Sequence, residues 1–309
     1  MNNNFPQISN AVINIRVIAT IVIVFYHCTC PFHAWSNVIG GGNNPDIANV
    51  LRFITLGVVY DTMLPTFFLI SGMIYFARID SYNDRIKTFW KKFDRLFIPV
   101  AIVTSVCLWL RKSVGLPELS AGHLWFVEVL GIYFIITLLL YKVKPIWLLA
   151  ISLCMHGAYV ASTKYQVEFP WEFGHILKYF VYFAIGYYAD FYYDCLAKKK
   201  VVKYAVLVIT LFLLCIRQQT LYSFTFNALL LCFIPNQEPT NGLWLSLNRN
   251  SFAIYLLHHP IVVALLYTPL FQDLYSQFTC LPIALMFVLA LVVSWVLSEG
   301  LHKVGFNYF

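Results

Sequence analysis

The run CLPIALMFVLALVVSWVL, residues Cys280–Leu297, contains no charged side chain. About 20 apolar residues are needed to cross the hydrocarbon core of a bilayer. A run of this length is therefore read as a membrane helix. A second run, AVINIRVIATIVIVFYHCTC at residues 11–30, is two residues longer and carries Arg16 and His27. Working outward from these two, further apolar runs fill most of the chain. They predict helices at about Val50–Phe76, Phe97–Leu110, His123–Tyr141, Ile146–Ala161, His175–Tyr193, Val201–Ile216, Leu221–Ile234 and Phe252–Phe271. The expected fold is all-α, a polytopic integral membrane protein of about ten transmembrane helices. Residues 1–309 are expected to form a single transmembrane domain with no soluble domain.

Composition agrees. Of the 309 residues 60% are hydrophobic and 11% charged, against about 25% charged in soluble domains. So few charges cannot cover the surface of a water-soluble protein of this size. The net charge of +7 is read as topogenic, because Lys and Arg cluster between apolar runs; nucleic acid is not an expected partner. With the N-terminus in the cytoplasm, 14 of the 21 basic residues fall on the cytoplasmic side and six on the other. Both termini are then expected in the cytoplasm, in a cell membrane. Arg111 and Lys112 fit this phase poorly. The eight cysteines lie mostly inside apolar runs and lack metal-type spacing, so they read as packed thiols and no metal is expected. The run at residues 11–30 has no small-residue cleavage site and should remain as the first helix.

Ionisable side chains inside a membrane helix are costly and face protein or water. Arg16 and His27 are 11 residues apart. At 100° per residue that is three turns plus about 20°, so both project from one face, about 16 Å apart along the axis. Arg16 alone also reads as a snorkelling side chain, and His27 alone as a packed imidazole. Together they point to chemistry. Neutral histidine can act as a general base near pH 7, which arginine cannot.

These residues also carry a resemblance. Asn14-Ile15-Arg16-Val17-Ile18-Ala19 followed by Phe25-Tyr26-His27 resembles the opening helix of the acyltransferase-3 family of membrane O-acyltransferases, with its Arg, ten residues, then His. Leu64-Pro65-Thr66-Phe67-Phe68-Leu69-Ile70-Ser71-Gly72-Met73 resembles the family's paired Phe followed by Ser-Gly. Lys91-Lys92-Phe93-Asp94-Arg95-Leu96-Phe97-Ile98-Pro99 resembles its basic run ending in Arg-Leu and Pro, and His123-Leu124-Trp125-Phe126 its His-Leu-Trp motif. Ser251-Phe252-Ala253-Ile254-Tyr255-Leu256-Leu257-His258 resembles its late Ser, Tyr-Leu and His pattern. The five pieces occur in order over nearly the whole chain. Glu128 departs from the pattern, standing where many members carry an apolar or aromatic residue.

The resemblance implies transfer from acetyl-CoA, on the cytoplasmic side, to a sugar hydroxyl of a cell-surface glycan or its lipid-linked precursor. A thioester is already activated, so the protein must mainly deprotonate the alcohol and stabilise an oxyanion. His27 is the expected base, with Arg16 on the same path and Asp46 in the first outer loop placed to orient His27. Cys28 and Cys30 are poorly placed for a covalent mechanism. Arg78, Lys91, Lys92 and Arg95 are expected to hold the phosphates of the donor, against topogenic charge and anionic lipid as the plainer reading. Trp125 is expected to line the donor channel. His123, Glu128, Tyr255 and His258 are assigned to the acceptor. The lipid bilayer is a partner by construction, and a homo-oligomer is compatible with the reading. The competing function is a transporter or flippase for a lipid-linked saccharide, which buried Arg, His, Asp and Glu would also suit. The absence of a visible internal repeat weighs against it.

Overall fold

The computed structural model describes residues 5–29, 54, 59–77, 85–114, 124–140, 142–170, 173–216, 218–234, 237–278 and 280–305. Among them every extended regular element is helical and no strand occurs. In chain order the helices are α1 (Phe5–Thr29), α2 (Asp61–Ala77), α3 (Arg85–Val114), α4 (Trp125–Leu139), α5 (Pro145–Lys164) and α6 (Phe173–Tyr187). They continue as α7 (Ala189–Lys198), α8 (Lys200–Cys215), α9 (Gln219–Phe233), α10 (Gly242–Leu266), α11 (Pro269–Gln277) and α12 (Cys280–Lys303).

Helix α12 displays the logic of the fold. Leu281, Leu285, Val288, Val292 and Val296 are exposed, while Met286, Ala290, Ser294 and Ser298 are buried. The apolar side chains look outward and the small hydroxyls inward, the reverse of a water-soluble helix. Lipid accepts the outer face without penalty, and small inner residues let helices approach. Helices α5 and α8 likewise expose Ile146, Trp147 and Leu153, and Val201, Val208 and Phe212.

Four stretches are long and apolar enough to cross a bilayer by themselves: Asn10–Thr29, Phe89–Ser113, Ile146–Lys164 and Cys280–Lys303. A fifth is the pair α10 and α11 taken together, bent by 78°. Helices α2, α4, α6, α8 and α9 have 15–17 residues, shorter than an upright span of about 20. The chain is thus a helical membrane protein, with these shorter helices accounting for the difference from about ten spans.

Several boundaries move from their expected places for clear reasons. Helix α3 begins at Arg85 rather than Phe97. Lys and Arg are good helix formers, and only hydropathy argued for a boundary at Phe97. Helix α10 begins at Gly242 rather than Phe252, because Asn241 caps it, its side chain accepting from Leu243 N and Trp244 N. It stops at Leu266 rather than running to Phe271, since Pro269 cannot continue the hydrogen-bond ladder and starts α11 instead. The sixth expected helix divides at Tyr188 into α6 and α7.

The chain comprises two compact units. The first is Met1–Arg16, Leu64–Asp94 and Trp125–Thr240. Its core is aromatic, with Phe68, Tyr133, Tyr179, Phe180 and Phe183 fully buried. Helix α6 packs against α4 and α5, and α8 against α9. Helices α2 and α6 cross at two glycines. A Cβ on Gly72 would overlap the Phe183 carbonyl oxygen, and one on Gly186 would overlap that of Leu69. The Ser-Gly of the second-helix motif is thus a packing device. Thr66 donates to Asn227 Oδ1 (2.9 Å), and Asn227 donates to the Ser223 carbonyl (2.9 Å), tying α2 to α9.

The second unit is Val17–Met63, Arg95–Leu124 and Asn241–Phe309. Val24, Cys28, Ile254, Val262, Phe271, Tyr275, Met286 and Ala290 share one apolar cluster there. The Tyr275 hydroxyl donates to the Cys28 carbonyl at 3.3 Å. At the start of α10 a polar network joins it to the end of α12. Ser246, Arg249 and Asn250 all donate to Glu299 Oε1. Trp295 Nε1 donates to Ser246 Oγ (2.9 Å), and Ser298 donates to Asn250 Oδ1.

Candidate active site

Helix α1 is continuous from Phe5 to Thr29, so Arg16 and His27 keep the register expected of them, about 16 Å apart at 1.5 Å per residue. Both are half-buried. Within the second unit, His27 meets two imidazoles of α10. His258 Nε2 lies 3.0 Å from His27 Nδ1. The His259 ring stands edge-on to His27, with centroids 5.2 Å apart and planes at 88°. His258 is fully buried and His259 nearly so. The Tyr26 ring lies 5.0 Å from that of His27 and 5.8 Å from that of Tyr60.

The protons of this pair are assigned from its hydrogen-bond partners. His27 Nδ1 lies 3.0 Å from the Ile23 carbonyl, and His258 Nδ1 lies 2.8 Å from the Ile254 carbonyl. A carbonyl can only accept, so each Nδ1 carries a hydrogen. His258 Nε2 is then an acceptor, and the His27 Nδ1–H donates to it as well as to Ile23 O. This assignment leaves no like-for-like clash at any of the three contacts. It puts the basic lone pair of His27 on Nε2.

The remaining expected residues fall as follows. Asp46, Arg78 and His123 lie outside the described residues. Lys91 and Arg95, one helical turn apart on α3, are exposed. Lys92 instead turns to aromatic faces, its ammonium 4.8 Å from the Phe134 ring centroid and 5.9 Å from that of Tyr75. A cation over a ring face is attracted by the ring quadrupole. Trp125 opens α4 and stacks on His175 of α6 at 4.1 Å with planes at 21°, and on Tyr179 at 5.7 Å. Glu128 is half-buried in the first turn of α4, where a negative charge suits the helix dipole. Tyr255 is buried, its ring 6.1 Å from that of His258. His258 was assigned to the acceptor from sequence; here it is buried, with both ring nitrogens engaged. Cys28 is fully buried in the apolar cluster.

Sequence reasoning gave His259 no role and did not foresee the contact between α1 and α10. The available signal was the doublet His258-His259 within the apolar second half of its helix, where ionisable side chains are costly.

Helices with lipid-type outer faces, among them a hydrogen-bonded histidine pair, define an integral membrane protein. A family model described as an acyltransferase domain, acyltransferase-3, matches residues 10–299, and the chain belongs to that family: it is a membrane acyltransferase. No curated protein and no solved structure matches the chain.

Proposed function

We propose that this acyltransferase moves an acetyl group from acetyl-CoA to a sugar hydroxyl of a cell-surface glycan or its lipid-linked precursor, with His27 as general base. The observation that carries the reading is the hydrogen-bonded pair His27–His258, whose backbone partners direct the His27 lone pair to Nε2. In the forward step the acceptor O–H gives its proton to His27 Nε2 as its oxygen attacks the thioester carbonyl carbon. The tetrahedral oxyanion collapses and the C–S bond breaks. The leaving thiolate takes the proton back from the His27 imidazolium, yielding CoA thiol and the sugar ester.

The donor enters from the cytoplasmic side in this reading. Arg78, Lys91 and Arg95 bind its phosphates, with Lys92 held back against Phe134 and Tyr75. Arg16, lower on α1, aligns the pantetheine arm below His27, and the distance of about 16 Å between them suits such an arm. Trp125 belongs to the donor channel, and His123, Glu128 and Tyr255 to the acceptor. Asp46 orients His27 from above.

The test uses the full chain, purified in lipid nanodiscs, with radiolabelled acetyl-CoA and a glycan extract as acceptor. His27→Ala should bind acetyl-CoA normally and lose about 10²–10⁴-fold in transfer rate, the range general-base catalysis supplies. A loss below about tenfold would be too small for the role.

A further inference from the structure

We infer that His258 is a positioning residue, which holds His27 in the tautomer that leaves Nε2 basic, and that it does not touch the acceptor. The inference rests on His27 acting as base. His258 is 0% exposed, so no substrate reaches it. Its Nδ1–H is committed to Ile254 O at 2.8 Å and its Nε2 to His27 at 3.0 Å. A chain of one-way hydrogen bonds results. His27 Nδ1–H donates to His258 Nε2, and His258 Nδ1–H donates to a helix carbonyl that cannot return a proton. The polarity is therefore set by the backbone of α10 and read out 231 residues away, at His27 Nε2.

The arrangement resembles the orienting carboxylate of a hydrolase triad in geometry but not in charge. A carboxylate would attract the proton strongly; a neutral imidazole orients the ring without adding a negative charge. When His27 Nε2 takes the acceptor proton, the ring becomes cationic and its Nδ1–H donates a charge-assisted bond to His258 Nε2. The contact is therefore stronger in the transition state than in the ground state, which makes it appear in kcat rather than in KM. The Ile23 carbonyl shares the same Nδ1–H, so removing His258 leaves part of the effect. A loss of about tenfold to hundredfold in kcat follows, the size of one hydrogen bond to a charged group.

Two variants and one spectroscopic reading test this. His258→Met removes the acceptor with a flexible apolar side chain. His258→Gln returns a carbonyl oxygen near the position of Nε2. The chain has eight histidines; ring ¹⁵N NMR of the labelled protein in nanodiscs identifies His27 by the signals that His27→Gln removes. In the wild type, His27 should show a protonated Nδ1 and an unprotonated Nε2. His258→Met should mix the tautomers and lower kcat about tenfold to hundredfold, with the KM for both substrates unchanged. His258→Gln should restore both readings. A wild-type His27 protonated on Nε2 would overturn the inference, and decides it even if His258→Met does not fold. So would a change in tautomer without a change in kcat, the reverse, or a rise confined to the acceptor KM. A wild-type rate in His27→Ala would instead remove the base, a separate failure, because the spectrum reports the ring without turnover.

Discussion

Replacing Gly72 by alanine should damage the first unit more than any exposed substitution of similar size. The added Cβ would overlap the Phe183 carbonyl oxygen, lie 3.0 Å from its carbon and stand 3.2 Å from Tyr187 N. Non-bonded carbon settles more than about 3 Å from such an oxygen, so relieving the overlap with the Phe183 carbonyl requires α2 and α6 to part by more than about 1 Å at the crossing. The atoms opposite belong to the helix backbone and cannot swing away. A gap of that size forfeits about half or more of the dispersion at each neighbouring contact, here the packing of Phe68 on Tyr179 and Tyr75 on Phe183. Overpacking of this kind costs about 1–3 kcal/mol. Gly186→Ala meets Leu69 in the same way, its Cβ 2.9 Å from the carbonyl carbon and 3.0 Å from Met73 N. Because one separation of the helices relieves both clashes, the double variant should cost clearly less than the two single costs added together. Gly157→Ala is the control, since a Cβ there meets nothing within 4 Å. Thermal unfolding in detergent, followed by tryptophan fluorescence, gives the comparison. A wild-type midpoint for Gly72→Ala, or full additivity in the double variant, would refute the reasoning.

Glu299→Ala should destabilise by about 1–3 kcal/mol because it strands the donors of Ser246 and Asn250, whereas Arg249→Ala, whose side chain is 59% exposed, should cost no more than about 1 kcal/mol; equal midpoint shifts in the same unfolding assay would contradict this. Neutralising Arg78, Lys91 and Arg95 together should raise the KM for acetyl-CoA and leave the acceptor KM nearly unchanged. Adding Lys92→Met should then change donor KM little, because that ammonium lies over the Phe134 ring; a large further rise would place Lys92 among the donor-binding residues. Tags at Met1 and Phe309 should be reached only from the cytoplasmic side, and labelling of either from outside would defeat the orientation drawn from Lys and Arg.

Much of this protein was legible without its structure, and for one reason. Hydropathy and helical period are local properties, and a bilayer imposes them on every span. The apolar run at Cys280–Leu297, the shared face of Arg16 and His27 and the membrane-embedded, all-helical class follow from nearest neighbours alone. The ordered motifs then carried the family. What local pattern could not decide is which helix meets which, because lipid is as apolar as leucine and hydrophobicity does not choose partners among spans. Tertiary structure made Gly72 and Gly186 a crossing. It also paired the polar stretch Ser246–Asn250, which precedes the expected helix, with Glu299. Above all it brought His258 to His27. Nothing within either helix encodes that contact. It exists because burial forces polar side chains in lipid to find each other, and the fold of the second unit sets which ones meet.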